Sequence, residues 1–162
     1  MKYNPNIHHR RSIRLKGYDY SRPGAYFITL CTHQRKCLFG EVIDGRMQLN
    51  NLGNIVRSHW CRLEKHHAHI CLDEFVVMPD HFHGIIIIKN LGSHAAGDRR
   101  YKAIPEIIRG FKTFSARQVN KIRHVSGVPV WQRNYYERIV RNESELNNVQ
   151  RYILNNPQNW TN

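Results

Sequence analysis

Apolar residues fall along this chain in short dense runs with two distinct periods. At residues 25–32, AYFITLCT, the run is aromatic and β-branched and reads as a first strand. Residues 41–49, EVIDGRMQL, read as a hairpin with Asp44-Gly45 at its turn. The period then changes to that of a helix. Leu52, Ile55, Val56, His59, Trp60 and Leu63 recur at helical spacing and predict an amphipathic helix over 51–66. Two further strands are predicted near 70–78 and 82–89, followed by a polar loop at 92–100. A second helix is predicted over 104–123, with Ile104, Ile107, Ile108, Phe111, Phe114 and Val119 on its apolar side. Gly127-Val128-Pro129 closes it, and 130–140 reads as an extended segment ending in a strand. Asn142 with Glu145 three residues on is a capping signal for a last helix, 143 to about 155, which Pro157 terminates.

Apart from the hairpin, the order is strand, helix, strand, strand, helix, strand, then a C-terminal helix. This is the α+β ferredoxin-like βαββαβ pattern, with helices on one face of an antiparallel sheet and the other face open. The length fits a single domain spanning 1–162, divided into a basic N-terminal arm at 1–23 and a core at 24–160.

Charge adds a partner to this picture. Lys and Arg number 25 against 12 Asp and Glu, giving +13 with histidine neutral. The excess is spread along the chain, which favours a polyanion, most simply nucleic acid. Arg10, Arg11, Arg14 and Lys16 in the arm suit a phosphate backbone, though a frayed basic terminus has the same composition. Arg109, Lys112, Arg117, Lys121 and Arg123 occupy the polar side of the second helix, either as a solvated face or as a phosphate-tracking one. Cys31, Cys37, Cys61 and Cys71 form no CxxC pair, and no signal peptide leads the chain. They read as thiols of a reducing cytoplasm, and no apolar run is long enough to cross a bilayer.

The chemistry concentrates in FVVMPDHFHGIIII, residues 75–88. On a strand, His81 and His83 share one face and Phe82 takes the other. Two imidazoles among such apolar neighbours form half of a metal site. The last helix offers the rest: Tyr152 and Asn156 are four apart, so they lie on one face beside the stripe of Leu146, Val149 and Ile153. Tyr135 and Tyr136 are rival nucleophiles that also suit packing or base stacking. Asp80 serves either as a partner to a histidine ring or as a turn cap. A second HxH, His67-Ala68-His69, follows a charged helix and reads as surface; Cys31-Thr32-His33 lacks further ligands.

His81-Phe82-His83 matches the HUH motif of single-tyrosine HUH endonucleases. With Val76-Val77-Met78-Pro79-Asp80 before it, the segment from Trp131 to Arg138 with Ile139 and Arg141, and the Tyr152-Ile153-x-x-Asn156-Pro157 ending, the chain from about 25 to 160 resembles the IS200-like transposases. Within them it is most similar to REP-associated tyrosine transposases. The resemblance implies a metal-dependent endonuclease and strand transferase acting on single-stranded DNA beside a hairpin. Tyr152 would attack a phosphodiester, leaving a 5′-phosphotyrosine and a free 3′-OH. His81, His83 and Asn156 would hold Mg²⁺ or Mn²⁺, with no nucleotide cofactor. Arg133, Arg138 and Arg141 would join the arm and second helix on the DNA backbone, although relatives often carry His where Arg138 stands. The resemblance further implies a bacterial cytoplasmic, nucleoid-associated protein without membrane contact. It favours a monomer; a homodimer with shared sites is the alternative. The competing functional reading is a catalytically inactive DNA-hairpin or single-strand binding protein of the same fold.

Overall fold

The computed structural model describes residues 17–92 and 101–161. Arg10, Arg11, Arg14 and Lys16 lie outside them. Among the described residues six strands and four α-helices form in the order β1 (Gly24–Cys31), β2 (Gly40–Ile43), β3 (Arg46–Leu49), α1 (Asn51–Cys61), α2 (Leu63–His66), β4 (Ile70–Val77), β5 (His81–Ile88), α3 (Ile104–Ile122), β6 (Tyr136–Val140) and α4 (Glu143–Leu154). The main sheet has the order β4-β5-β1-β6, and every neighbouring pair is antiparallel. This is the α+β ferredoxin-like arrangement read from the hydrophobic pattern. β2 and β3 form the separate hairpin. Its turn residues Asp44 and Gly45 have φ of 50° and 70°, the left-handed pair that a two-residue primed turn requires.

Register decides which side chains meet. Across the sheet, Thr29 pairs with both His83 and Tyr136, and Phe27 pairs with both Ile85 and Arg138. These residues share one face. Tyr26, Ile28, Leu30, Phe82 and Ile86 take the opposite face and pack with Val56, Trp60, Ile107 and Phe111 from α1 and α3. Gly84 lies on that packed face. A Cβ there would stand 2.6 Å from Cζ2 of Trp60 and 2.9 Å from the Phe82 ring, so glycine lets α1 seat directly beneath the histidine strand.

The face expected to be open is covered. α4 lies on it, with Val149 and Ile153 buried among Phe27, Ile85 and Val140. Burying an aliphatic side chain of this size stabilises by about 1.5–3 kcal/mol. Asn142 caps α4 by accepting from the Glu145 amide at 2.8 Å, while the Glu145 carboxylate accepts from the Arg141 amide at 2.9 Å. The same backbone bond, followed by the charge and side chain of Arg138, lowers the Glu145 pKa.

Three local readings need correction. The helix predicted over 51–66 breaks at Arg62 into α1 and α2. Phe114 is 58% exposed instead of buried. At 100° per residue it falls at the edge of the stripe, and Ser115 occupies the core position, its hydroxyl bonded to the Trp131 indole at 3.0 Å. His69, read as a surface residue, is buried, with Nε2 2.9 Å from the carbonyl of Lys102. The segment before β4 tucks inward there, so its position after a charged helix misled the reading.

Candidate active site

The site forms where β5 leaves the Pro79-Asp80 corner and α4 ends above it. His81 and His83 are both buried, 7% and 5% exposed, with ring centroids 4.7 Å apart. Each has its Nδ1 occupied by a neighbour. The Asp80 carboxylate lies 2.6 Å from Nδ1 of His81, and the Thr29 hydroxyl 2.8 Å from Nδ1 of His83. An Nδ1–H donated to those oxygens leaves the Nε2 lone pairs free, and both Nε2 atoms face the C-terminal end of α4. His83 Nε2 is 3.4 Å from the Tyr152 hydroxyl, and His81 Nε2 is 3.1 Å from Oδ1 of Asn156. Two ring nitrogens and two side-chain oxygens thus converge from residues up to 75 positions apart.

Asp80 is itself fixed. Arg35 Nε lies 2.8 Å from its second carboxylate oxygen. Arg35 and Gln34 hold φ of 54° and 57°, a left-handed geometry that costs energy in a non-glycine residue. The Pro79-Asp80 corner stabilises this loop: the Pro79 carbonyl accepts from the amides of Leu38 and Phe39 at 2.8 and 3.1 Å. The Asp80 carbonyl accepts from the Thr32 amide and hydroxyl, each at 2.9 Å.

Burial, and then the charges of His81 and Arg35, push the His83 pKa down to about 3. Its imidazole is therefore neutral at ordinary pH and offers a lone pair rather than a stored proton. The Tyr152 ring meets Phe27 edge-on at 6.1 Å and is 51% exposed. Its hydroxyl contact is long for a hydrogen bond and leaves the oxygen free to turn toward an incoming group. Asn156 lies in the turn that follows α4, its amide bonded to the Ile153 carbonyl at 3.2 Å. The helix is held over the sheet by Gln150, whose side-chain amide donates to both carboxylate oxygens of Asp73 at 2.9 and 3.0 Å. Asp73 sits in the irregular register of β4 between Leu72 and Phe75.

The donor set can be tested for a cation. With Nδ1–H given to Asp80, His81 Nε2 and Asn156 Oδ1 are two acceptors facing each other, an arrangement that a shared cation satisfies. Cis ligands about 2.1 Å from an octahedral ion lie about 3.0 Å apart, close to the observed separation. Among the described residues, no group of three His, Cys, Asp or Glu is placed to hold a metal. The residues therefore fit a divalent ion only as a partial, neutral set that needs further oxygens.

The rival tyrosines separate. The Tyr135 hydroxyl donates to the buried Glu137 carboxylate at 2.6 Å, and Tyr135 packs into the core on the far side of the sheet. Tyr136 is 48% exposed and shares the histidine face. Among the basic residues, Arg109, Arg117, Lys121, Arg133 and Arg141 are exposed. Lys112 is not directed outward. Its ammonium donates to the carbonyls of Gln132, Arg133 and Asn134 at 2.6, 3.1 and 3.4 Å, and burial pulls its pKa down to about 8. Arg138 is paired with Glu145. Sequence reasoning missed Thr29 and Arg35, which act on the site only through strand register and a folded loop.

Comparison with known proteins supplies a family and a fold. The chain is 42% identical to an uncharacterized protein of Haemophilus influenzae, over 98% of this chain and 94% of the relative, and it belongs to that protein's family. No protein-family model matches. The REP-associated tyrosine transposase bound to a REP hairpin has the same fold: its solved structure superposes with a TM-score of 0.62 at 18% identity, covering 92% of this chain and 76% of the other. No helix among the described residues is long and apolar enough to cross a membrane.

Proposed function

We propose that this chain, a member of the Haemophilus protein's family with the fold of a hairpin-bound tyrosine transposase, is a DNA strand transferase that cuts single-stranded DNA beside a hairpin through Tyr152. The observation that carries the reading is the convergence of the Tyr152 hydroxyl and the Asn156 amide oxygen on Nε2 of His83 and His81. A structural pair of histidines would need no phenol from a distant helix.

In this reading His81, His83 and Asn156 hold a divalent ion. Mn²⁺ suits two imidazoles better than Mg²⁺, which prefers oxygen throughout. When bound, the ion supplies Lewis-acid charge to the scissile phosphate. The chain's own residues do the rest. Asp80 and Thr29 fix the two rings so that their lone pairs converge. Phe27 and the α4 stripe hold the phenol beside His83. The Tyr152 phenol gives up its proton to solvent as its oxygen forms a bond to phosphorus, the bond from phosphorus to the 3′ oxygen breaks, and that oxygen takes a proton from solvent and leaves as a 3′-OH. The resulting phosphotyrosine conserves the energy of the broken linkage, so rejoining needs no nucleotide cofactor.

The test is adduct formation. Wild-type protein incubated with hairpin oligonucleotides and Mn²⁺ is expected to give a denaturation-resistant protein–DNA adduct, abolished by EDTA. Tyr152→Phe is expected to bind the same hairpins with unchanged affinity and to form none. An adduct formed by Tyr152→Phe overturns the assignment. Hairpin binding without any wild-type adduct favours the non-catalytic binding protein instead.

A further inference from the structure

A cleft of about 940 Å³ runs between β6 and the N-terminal half of α4, and Tyr152 forms part of its wall. Neither histidine lines it. Its size is at the upper end for a site that takes one compact organic group. Of the charged residues at its wall, Arg138 already pairs with Glu145, and the Glu137 side chain alternates to the opposite face of the sheet, where its carboxylate accepts from Tyr135. A phosphate entering there would meet the Glu145 carboxylate and compete with an existing ion pair. The charges of Arg138 and Glu145 are thus already satisfied by each other, and the other lining residues decide what the cleft takes.

The remaining lining is aromatic, aliphatic or hydrogen-bonding. Phe27 is buried, and Tyr136 lines the cleft with nearly half its surface in solvent. Asn148 has its amide oxygen taken by Arg151 at 2.6 Å, which leaves its N–H groups as donors. Tyr136 also belongs to the transverse row Tyr136–Thr29–His83, so the cleft continues directly from the histidine that faces Tyr152. A planar group with acceptors on its edge, attached to a phosphate at the histidines, satisfies the aromatic wall and the amide donors together.

We infer that this cleft seats the unpaired nucleobase adjacent to the scissile phosphate, with Tyr136 as its stacking platform. The inference rests on the strand-transfer reading for the position of the phosphate. An aromatic platform of this kind tolerates any base, and the Asn148 donors favour bases that present acceptors.

The test uses the Tyr152→Phe protein and hairpin oligonucleotides with short unpaired flanks, 2-aminopurine being walked through the flank one position at a time. One flank position is expected to show strong stacking quenching. Adding Tyr136→Ala should remove that signal and weaken the flanked hairpin about tenfold, leaving a flush hairpin unaffected. Tyr136→Phe keeps the ring and should retain both signal and affinity. The inference is overturned if Tyr136→Ala leaves the quenching intact, or if it weakens flush and flanked hairpins equally. The adduct assay on wild-type protein separates the two readings: quenching lost on Tyr136→Ala supports the cleft even if no adduct forms, whereas an adduct with quenching indifferent to Tyr136 supports strand transfer alone.

Discussion

Asp80 shows what a single residue contributes to this site. It bridges Arg35 and His81, so it sets both the tautomer and the ring angle of the histidine. Removing such a partner typically weakens a metal site by 10- to 100-fold. Asp80→Asn is therefore expected to weaken Mn²⁺ binding, measured by calorimetry, by about that factor while leaving the fold intact by circular dichroism. Unchanged Mn²⁺ affinity would show that the carboxylate only caps its turn. The face that His81 shares with His83 and the helix face that Tyr152 shares with Asn156 were legible in the sequence, because strand alternation and helical spacing are local rules. Arg35 was not. It reaches Asp80 from a left-handed turn after β1, and no periodicity marks a contact that exists only once two loops have met. Lys112 failed for a related reason: its place on a polar helix face was right, but the chain at 132–134 folds over it and takes up its charge.

At the scale of elements, the contact of α1 with β5 deserves a direct test through Gly84. Overpacking a filled core costs about 1–3 kcal/mol. Gly84→Ala is expected to lower unfolding stability by that amount in urea titration, since the added methyl meets the Trp60 and Phe82 rings with little room to move. A neutral effect would mean that α1 can shift away from the sheet at small cost. The strands and helices were readable because their periods are strong and their caps are explicit, as at Asn142 and Glu145. The break at Arg62 and the buried His69 were not, because both depend on how the segment before β4 turns into the core. The covering of the second sheet face by α4 follows from register. Phe27, Ile85 and Val140 form an apolar patch only when β5, β1 and β6 lie side by side.

For the whole molecule, topology and charge were both legible, since the order of elements admits few sheets and the basic excess is a matter of counting. What could not be read was the division of labour between the two sheet faces. One carries the large core of α1 and α3, built from aromatic and aliphatic side chains of every element except β2 and α4. The other holds α4 by a small cluster of Val149, Ile153 and Leu146, the Gln150–Asp73 contact, the Arg138–Glu145 pair and the contacts of Tyr152 with Phe27 and His83. Regions with less buried apolar surface open at lower free energy than the global transition. This unequal attachment acts as a thermal fuse. On warming, α4 is expected to lift from the sheet before the rest of the chain melts, carrying Tyr152 away from the histidines. The midpoint for loss of DNA cleavage should then fall below the midpoint for loss of ellipticity, and return of activity on cooling from between the two should be rapid. Coincident midpoints would show α4 to be as firmly held as the core itself.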